Sequence, residues 1–300
     1  MPSPFAVVTV NFASSTLIAG NMADLELPAE GRLIIVDCFS SAQERTAVQR
    51  VASDLGAEAV LLDDNRGYGG GTNAGVERAR ELGAEVIVPL NPDARIDQAS
   101  LLTLVRTAHG TRDLVSPRIV TGEGRPWFAG ADLYLDDGTT AGRAARPRHE
   151  GRPRREWATG ACFALDTRVW EELDGFDEEY FLYWEDIDLS HRVLDAGGAL
   201  VLSDAVVVHD EGGTHGREAS ARAKSAAYYY FNIRNRMLYA NKHLDAGGIR
   251  RWRRSAFRVG YAVLLQGGRR QLLSPRPWKA YLRGIRDGLR LGAGTKARAV

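Results

Sequence analysis

Residues 85–93, EVIVPLNPD, form an apolar stretch that ends abruptly in Asn91, Pro92 and Asp93. An apolar run of this length that ends at a turn is typical of a strand buried on both faces. Further strands are predicted before it, at Phe5–Phe12, Leu33–Asp37 and Ala59–Asp63. Helices are predicted between the strands, at Ser41–Leu55 and Thr72–Leu82, each starting near a Ser or Thr that could cap it. This alternation indicates an α/β fold with a mostly parallel sheet flanked by helices.

Polar residues stand at the ends of these predicted strands. Asp37 closes the second strand, Asn91–Asp93 follow the fourth, and Asn11 lies close to the end of the first. In open α/β sheets, ligands bind in the crevice beyond the carboxyl ends of the strands. We therefore expect these residues, although distant in sequence, to line one crevice.

The rest of the chain shows weaker patterns. Residues 136–156 are rich in Gly, Arg and Pro and predict a long loop. Helices are predicted at about 167–173 and 185–196, and a strand at 205–208 is followed by His209. From Ala219 onward, helix formers, aromatic residues and arginines dominate, which predicts a helical C-terminal region.

Composition excludes several classes of protein. The chain has 300 residues, of which 44% are hydrophobic and 26% charged, as in ordinary globular proteins. Two cysteines, Cys38 and Cys162, cannot build a disulfide scaffold or a cysteine-rich metal site. No signal peptide and no apolar segment long enough to cross a bilayer is recognised. These features predict a cytoplasmic protein.

Charge divides the chain into two parts. Residues 1–215 carry 19 Lys and Arg against 35 Asp and Glu, whereas residues 216–300 carry 20 against 3. We therefore predict one domain at 1–215, which contains the polar strand ends, and a basic, helical region at 216–300. Such asymmetry indicates a polyanionic partner for the basic region: an anionic membrane surface, a nucleic acid or the acidic body itself.

A glycine-rich segment, NRGYGGGTNAG at 65–75, follows the third strand and opens a helix. Glycines there would let the backbone approach a ligand closely, and a helix N-terminus favours phosphate groups. The segment lacks the Gly-Lys-Ser/Thr of a Walker A loop and the third glycine of the dinucleotide fingerprint. A tight strand-to-helix turn with no ligand is an equal alternative.

Two positions suggest a divalent metal. Asp93 follows a buried strand, where its carboxylate could hold Mg²⁺ or Mn²⁺ against a diphosphate. His209 ends another strand, beside a glycine-rich stretch, and could be a second ligand. The alternatives are a common Asn-Pro-Asp turn and a structural histidine.

Three acids, Glu185, Asp186 and Asp188, begin a predicted helix directly after the aromatic run 180–184. A helix N-terminus stabilises the anionic form of a carboxylate, which suits a general base. Plain helix capping would explain one of the acids. It explains less well why they follow a Phe-Leu-Tyr-Trp stretch that could stack on a sugar or lipid.

The order and spacing of these motifs resemble the GT-A-fold family 2 glycosyltransferases, particularly the rhamnosyltransferase-like branch that decorates cell-wall or surface polysaccharide. The resemblance runs from about Phe5 to His243. Its most specific parts are the glycine segment, the Asn-Pro-Asp turn, and the GFDE stretch at 175–178 followed by EDIDL at 185–189. The segment Gly160–Phe163 and the Arg-Asn-Arg triplet at 234–236 complete the order.

The resemblance implies a role for individual residues. Asp186 would be the general base, Asp93 the metal ligand that corresponds to the last carboxylate of the family's DxD motif, and His209 a further metal contact. The nucleotide would be bordered by Val10, Asn11, Asp37, Asn65, Gly71, Asn73 and Asp93. The donor sugar and acceptor would be bordered by Gly160, Ala161, Trp184 and Glu185. Asn91 replaces the first DxD carboxylate, and Cys38 stands where relatives commonly carry Asn, which leaves the donor base less certain.

The implied reaction is an inverting transfer of a sugar, with a rhamnose-like deoxyhexose favoured. The donor would be a nucleoside-diphosphate sugar of the dTDP or UDP type, the acceptor a hydroxyl of a glycan or lipid-linked glycan, and the cofactor Mn²⁺ or Mg²⁺. A single carboxylate base opposite the leaving diphosphate gives inversion at the anomeric carbon.

Two other functions are alternatives to glycosyl transfer. A sugar nucleotidyltransferase would share the fold, but such enzymes usually carry a basic glycine-rich loop after the first strand, where this chain has 11–15, NFASS. A nucleic-acid-binding protein could use the basic region, yet no nucleic-acid motif accompanies the charge and the acidic body would repel the ligand. We therefore expect no nucleic-acid partner.

The basic C-terminal region interleaves cations with Trp, Tyr and Leu at helical spacing between 250 and 298. This pattern suits a segment lying in a membrane interface. It predicts peripheral attachment to an anionic surface at the inner face of the plasma membrane. The alternatives are a helical cap on the acidic body and a homodimer contact.

Overall fold

The computed structural model describes residues 3–209 and 224–291. These residues divide into two compact units. The first comprises 3–131, 156–181 and 185–209, and the second comprises 132–155, 182–184 and 224–291. The sequence predicted two consecutive domains, 1–215 and 216–300. In the structure, residues 132–155 and 182–184 belong to the second unit, although they lie within the first predicted range.

The described strands and helices are as follows. The strands are β1 Phe5–Asn11, β2 Gly31–Cys38, β3 Glu58–Leu62, β4 Val86–Pro89, β5 Ala94–Ile96, β6 Leu114–Thr121, β7 Pro126–Phe128, β8 Ala131–Tyr134, β9 Thr140–Gly142, β10 Arg154–Trp157, β11 Leu165–Asp166 and β12 Leu200–His209. The α-helices are α1 Ser15–Met22, α2 Ala42–Asp54, α3 Gly67–Glu81, α4 Gln98–Ala108, α5 Thr167–Glu172, α6 Glu185–Asp195, α7 Ala226–His243, α8 Ala246–Leu265 and α9 Pro275–Arg290. Short 3-10 helices occupy Arg143–His149, Glu178–Tyr180 and Arg269–Leu273.

The first unit is built on a five-stranded sheet in the order β11-β4-β1-β2-β3. The four predicted strands pair in parallel, and β11 joins β4 antiparallel. Alternate residues of β1 enter two different cores, Phe5 and Val7 on one face and Ala6 and Val8 on the other. Both faces are therefore covered, which confirms the predicted parallel sheet flanked by helices.

A second sheet of the same unit runs in the order β5-β12-β6-β7. Strand β12 pairs in parallel with β6 and antiparallel with β5. In this register His209 lies opposite Ala94, which follows Asp93 in the chain. The pairing thus brings together the two residues that the sequence suggested as metal ligands.

The second unit has its own hydrophobic core, formed by α7, α8 and α9 around Tyr229, Ile233, Leu264 and Ile285. A three-stranded sheet in the order β10-β8-β9 lies mostly in this unit. Because α8 and α9 complete the core of α7, a chain shortened after His243 would expose that core.

The predicted long loop at 136–156 is wrong in part. This segment contains β9, the 3-10 helix Arg143–His149 and the start of β10. Arg146 makes a two-pronged ion pair with the fully buried Asp132, at 2.7 and 2.8 Å. Arg152 similarly holds Asp136 at 2.9 and 2.7 Å. Ion pairs of this kind fix a segment whose composition alone indicates a loop.

The predicted start of α3 at Thr72 is also wrong. The helix begins at Gly67, with no side-chain cap, so Gly69, Gly70 and Gly71 lie in its first turns. The predicted cap of α2 is present, since Ser41 Oγ accepts from the backbone N–H of Glu44 at 3.1 Å.

Across residues 3–209 and 224–291, no helix combines the length and the hydrophobicity that crossing a bilayer requires.

Candidate active site

The ends of β1 and β2 form a polar cluster around Asp37. Asn11 and Asp37 are register partners in the sheet, and the Asn11 amide donates to Asp37 Oδ1 at 3.0 Å. Arg45 of α2 donates to the other carboxylate oxygen at 2.9 Å and also to the carbonyl of Leu62. Asp37 is fully buried, and this pairing compensates its charge. Asn11 and Asp37 thus meet at the strand ends, while the crevice that they were expected to line stays a prediction.

Glycines of α3 bring the helix onto the sheet. A Cβ at Gly71 would lie 2.7 Å from both Cys38 Sγ and Val10 Cγ1. A Cβ at Gly75 would lie 2.4 Å from Val8 Cγ1. Both distances are below any normal contact, so the two positions require glycine for packing. Gly71 and Val10 thus contact each other, and their predicted place beside the nucleotide stays a prediction.

Residues of the glycine-rich segment form hydrogen bonds and an ion pair with the stretch 175–181. Both amide atoms of Asn73 bind the backbone of Phe176, at 2.9 and 2.8 Å, and Arg66 pairs with Glu178 at 2.9 Å. The backbone N–H of Tyr68 donates to the Phe181 carbonyl at 2.9 Å. These contacts give Asn73 a structural role, and its predicted contact with the nucleotide gains no support.

Asn65 stabilises the turn that leads into α3. Its side-chain Oδ1 accepts from the backbone N–H of Gly67 at 2.9 Å. Gly67 has a φ of +74°, and a Cβ there would lie 2.0 Å from the Phe181 carbonyl oxygen. The turn into α3 therefore needs Asn65 to close it and glycine to allow it.

The predicted base, Asp186, lies in the first turn of α6. Its Oδ2 accepts from the backbone N–H of Gly160 at 2.9 Å, and its Oδ1 accepts from the N–H of Ile187 at 2.8 Å. Burial raises the pKa of Asp186 to about 6, although these hydrogen bonds oppose the shift. The side chain is only partly buried. A carboxylate with a raised pKa and some access to solvent suits a general base.

Tyr68 holds the other side of Gly160. Its hydroxyl donates to the Gly160 carbonyl at 2.6 Å, so the peptide groups of Gly160 are fixed between Tyr68 and Asp186. Ala161, the next residue, accepts from the backbone N–H of Asn91 at 2.9 Å. The structure thus connects the Asn-Pro-Asp turn, the Gly160–Ala161 segment and Asp186 within the first unit.

The other two acids of α6 differ from Asp186. Asp188 is buried and pairs with Arg192 at 2.7 Å, so it stabilises the fold. Burial raises the pKa of Glu185 well above its ordinary value, and the charge of Asp186 adds to the shift. Among residues 3–209 and 224–291, no hydrogen-bond partner meets the buried Glu185 Oε2. These surroundings favour the neutral form of Glu185, which suits a general base less well than Asp186 does.

Trp184 belongs to the second unit, although Glu185 follows it directly in the chain. Trp184 is buried and contacts Tyr239 and Trp252, with ring centres 5.7 and 6.3 Å away. Asn235 of α7 donates to the carbonyls of Leu182 and Tyr183 at 3.0 and 2.8 Å. Trp184 thus packs in a core, and its predicted contact with an acceptor stays a prediction.

The backbone of this same segment is strained. Phe181, Tyr183 and Trp184 have φ values of 62°, 65° and 78°, a region that side chains other than glycine rarely adopt. Each such residue costs about 1–3 kcal/mol and persists where surrounding contacts impose it. The three strained residues directly precede Glu185 and Asp186, at the start of α6.

The predicted metal ligands are adjacent. His209 Nε2 lies 3.2 Å from Asp93 Oδ1, and both side chains are nearly buried. Trp127 of β7 stacks on the imidazole, with ring centres 4.4 Å apart and planes at 17°. Within residues 3–209 and 224–291, His209 Nδ1 is buried and has no hydrogen-bond partner. The nitrogen that faces Asp93 is Nε2, and a carboxylate oxygen and an imidazole nitrogen at this separation suit one divalent cation such as Mn²⁺.

Among residues 3–209 and 224–291, no group of three or more His, Cys, Asp and Glu side chains could hold a metal ion. Two protein ligands would leave the other positions around a metal to a bound diphosphate or water, and the assignment of Asp93 and His209 as those ligands stays a prediction.

Comparison with known proteins agrees with this geometry. No family model matches the chain. It is 25% identical to a low-salt glycan biosynthesis hexosyltransferase, Agl10, of Haloferax volcanii, over 80% of this chain and 76% of that protein. It is also 25% identical to an N-acetylglucosaminyl-diphospho-decaprenol L-rhamnosyltransferase of Mycobacterium tuberculosis, over 74% of this chain and 80% of that protein.

A solved structure shares the fold. A mannosyltransferase of Pyrobaculum calidifontis, solved with GDP-Man and Mn²⁺, matches with a TM-score of 0.54 and 15% identity, over 97% of this chain and 89% of that one. The chain is a glycosyltransferase of the GT-A fold. The predicted resemblance is confirmed, and the glycosyltransferase hypothesis is favoured over the nucleotidyltransferase and nucleic-acid alternatives.

Three contacts of this glycosyltransferase were not predicted from the sequence. They are the ion pair of Arg45 with Asp37, the hydrogen bond from Tyr68 to Gly160, and the stacking of Trp127 on His209. Arg45 stands in the helix after a strand-end aspartate, which is a signal that could have been used. Tyr68 and Trp127 meet partners more than 80 residues away, and no local pattern reveals such contacts.

Proposed function

We propose that this glycosyltransferase inverts the anomeric centre while moving a sugar from a nucleoside-diphosphate donor to a hydroxyl, with Asp186 as the base. The observation that carries the proposal is the position of Asp186. Its carboxylate is held by the Gly160 and Ile187 N–H groups, has a raised pKa, and belongs to the same unit as the Asp93–His209 pair. Of the two neighbouring carboxyls, Asp188 is ion-paired with Arg192, and burial raises the pKa of Glu185 well above its ordinary value.

Asp93 and His209 would hold Mn²⁺ or Mg²⁺. When bound, the metal neutralises charge on the leaving diphosphate. Asp93 contributes the negative charge, and His209 contributes an imidazole nitrogen oriented by the Trp127 stack. The solved mannosyltransferase with Mn²⁺ supports a divalent cofactor.

The nucleoside would lie against the Asn11–Asp37–Arg45 cluster, where the carboxylate of Asp37 is fixed by two donors. A fixed buried carboxylate accepts a hydrogen bond from a base imide without reorganisation, so the cluster favours a uracil or thymine donor of the UDP or dTDP type.

We propose a rhamnose-like deoxyhexose as the sugar and a lipid-linked glycan as the acceptor. The support is the similarity to a hexosyltransferase of glycan biosynthesis and to a rhamnosyltransferase named for a decaprenol-linked acceptor. Such an acceptor would be presented at a membrane, which favours a peripheral enzyme at the inner face of the plasma membrane.

A donor screen tests this proposal. The full chain is incubated with dTDP-, UDP- and GDP-sugars and a lipid-linked glycan whose hydroxyl receives the sugar, and nucleoside-diphosphate release is measured with Mn²⁺, with Mg²⁺ and with EDTA. We expect release from a dTDP- or UDP-sugar that requires the metal and is lost in Asp93→Ala. Asp54→Ala, which removes an exposed aspartate at the end of α2, is the matched control. Release that is equal in EDTA would overturn the metal assignment, and no release from any donor would overturn the activity.

A further inference from the structure

Helix α8 of the second unit exposes an apolar stripe. Phe257, Tyr261 and Leu265 are four residues apart, so they lie on one side of the helix. Their exposed fractions are 57%, 40% and 40%. The opposite side of α8, with Trp252, is buried. The exposed stripe is thus additional to the face that stabilises the unit.

The apolar surface continues beyond α8. Leu273, in the 3-10 helix that follows, is 89% exposed. Trp278 of α9 contacts Tyr261, with ring centres 6.1 Å apart, which joins the end of α8 to the start of α9. Leu282, one turn further along α9, is 57% exposed. We call the side chains of Phe257, Tyr261, Leu265, Leu273 and Leu282 the apolar patch.

Exposed large hydrophobic side chains are concentrated in this part of the second unit. Nine large hydrophobic side chains are exposed among the described residues, and five of them form the apolar patch. The five fall within 257–282, a short part of the second unit. An exposed apolar cluster with a polar rim marks an interaction surface.

The segment that carries the apolar patch is strongly cationic. Residues 246–291 carry twelve Lys and Arg against one acid, Asp287, and all twelve basic residues are exposed. Some are paired, as Arg258 is with Asp137 and Arg286 with Asp287. Arg269, Arg270, Arg276 and Lys279, which surround Leu273 in sequence, form no ion pair within residues 3–209 and 224–291. Lys296 and Arg298, also part of the predicted basic segment, lie outside the described residues.

We propose that the apolar patch and these four cations dock on the surface of an anionic lipid bilayer. Leu265, Leu273 and Leu282 would enter the interface between headgroups and acyl chains, while Tyr261 and Trp278 lie at headgroup level, where aromatic side chains are favoured. The cations would meet the lipid phosphates. Exposed leucines favour hydrocarbon over nucleic acid, which offers no apolar phase for them. Binding by this face is independent of glycosyl transfer, so the two proposals can fail separately.

The test is sedimentation of the full chain with vesicles of phosphatidylcholine, alone or with about one third phosphatidylglycerol. We expect wild-type protein to bind the anionic vesicles and to leave them as salt rises. Replacing Arg269, Arg270, Arg276 and Lys279 with Gln should lower the partition coefficient at least tenfold, since each basic residue near an anionic surface contributes about fivefold. Leu273→Asp should also lower it, and at 89% exposure this change leaves the fold intact.

Matched controls remove the same charge or side chain from the first unit. These are Arg32, Arg50, Arg106 and Arg118 to Gln, and Leu82→Asp, all at exposed positions. They should bind vesicles like wild type. Equal binding by the patch variants and the controls would overturn the proposal, as would the absence of wild-type binding. A dimer in solution that Leu273→Asp converts to a monomer, without vesicle binding, would identify the patch as a contact between copies and also overturn it. Nucleoside-diphosphate release with a soluble acceptor should be unchanged in every variant.

Discussion

The backbone N–H of Gly160 donates to Asp186 Oδ2 at 2.9 Å, while the carbonyl of the same Gly160 accepts from the Tyr68 hydroxyl at 2.6 Å. The glycine is thereby held from both sides. A Cβ at Gly160 would lie 3.3 Å from Asp186 Cβ and 3.4 Å from the Tyr68 ring, so both side chains pack close to this glycine. The orientation of the proposed base therefore depends on a tyrosine 118 positions earlier in the chain.

Removing the hydroxyl of Tyr68 should impair turnover. In Tyr68→Phe the Gly160 segment loses one hydrogen bond, and we expect kcat to fall about fivefold, equivalent to about 1 kcal/mol. The KM for the donor should stay near wild type because the Asn11–Asp37–Arg45 cluster is untouched. Steady-state kinetics separate the two constants. Tyr134→Phe is the control, since the buried Tyr134 hydroxyl has no hydrogen-bond partner among residues 3–209 and 224–291. An equal loss in both variants would contradict a positioning role for Tyr68.

Activity should depend on the protonation of Asp186. Because burial raises the pKa of this carboxyl to about 6, kcat/KM should rise with pH below that value and level off above it. An aspartate at its ordinary pKa would already be fully active at pH 5. The measurement is a pH–rate profile with saturating Mn²⁺, in which the acidic limb should be absent from the residual activity of Asp186→Asn.

Replacing the neighbouring Glu185 with Gln should leave turnover nearly unchanged. Burial and the charge of Asp186 raise the pKa of Glu185 well above its ordinary value, which favours the neutral acid in the folded protein. Glu185→Gln keeps the shape of the neutral acid, and we expect kcat to stay within about threefold of wild type. A loss of two or more orders of magnitude would instead make Glu185 the base.

Glycine at position 71 should be required for stability. A methyl group there would meet Cys38 Sγ and Val10 Cγ1 at 2.7 Å, and Gly71→Ala should lower the free energy of unfolding by about 1–3 kcal/mol. Gly20→Ala in α1 is the control, because nothing lies within 4 Å of its Cβ position and helix propensity favours Ala there. Chemical denaturation of both variants gives the comparison; a neutral Gly71→Ala would show that α3 can move away from the sheet.

The pattern of apolar runs was sufficient to predict the parallel sheet, because periodicity and strand boundaries are local properties. It also placed Asn11 beside Asp37, since parallel strands end at one edge. The start of α3 was missed because glycines disfavour helix, whereas packing of Gly71 and Gly75 on the sheet overrides that preference here.

Long-range contacts account for the other differences. The ion pairs of Arg146 and Arg152 order a segment that looks like a loop, and Asn235 joins 182–184 to the helical unit. Trp127 could not be linked to His209 before the pairing of β6 with both β7 and β12 was known. Contacts of this kind depend on tertiary structure and leave no periodic signal.

The thermal stability of Asp186→Asn tests the raised pKa of Asp186 independently of catalysis. The folded protein raises the pKa of Asp186, so it binds a proton that the unfolded chain releases between about pH 4 and pH 6. This carboxyl therefore lowers stability as pH rises through that window, and Asp186→Asn should raise Tm at pH 7. A lower Tm at pH 7, with an unchanged value at pH 4, would show that the folded protein favours the carboxylate.

The central claim, that Asp186 is the base of a glycosyl transfer, is tested most directly by comparing donor binding and turnover in Asp186→Asn. Calorimetry with the nucleoside diphosphate and Mn²⁺ gives affinity, and product formation with the donor identified in the screen gives kcat. We predict wild-type affinity together with a kcat lower by roughly two to four orders of magnitude. Near-normal kcat, or loss of nucleotide binding equal to the loss of kcat, would contradict the assignment.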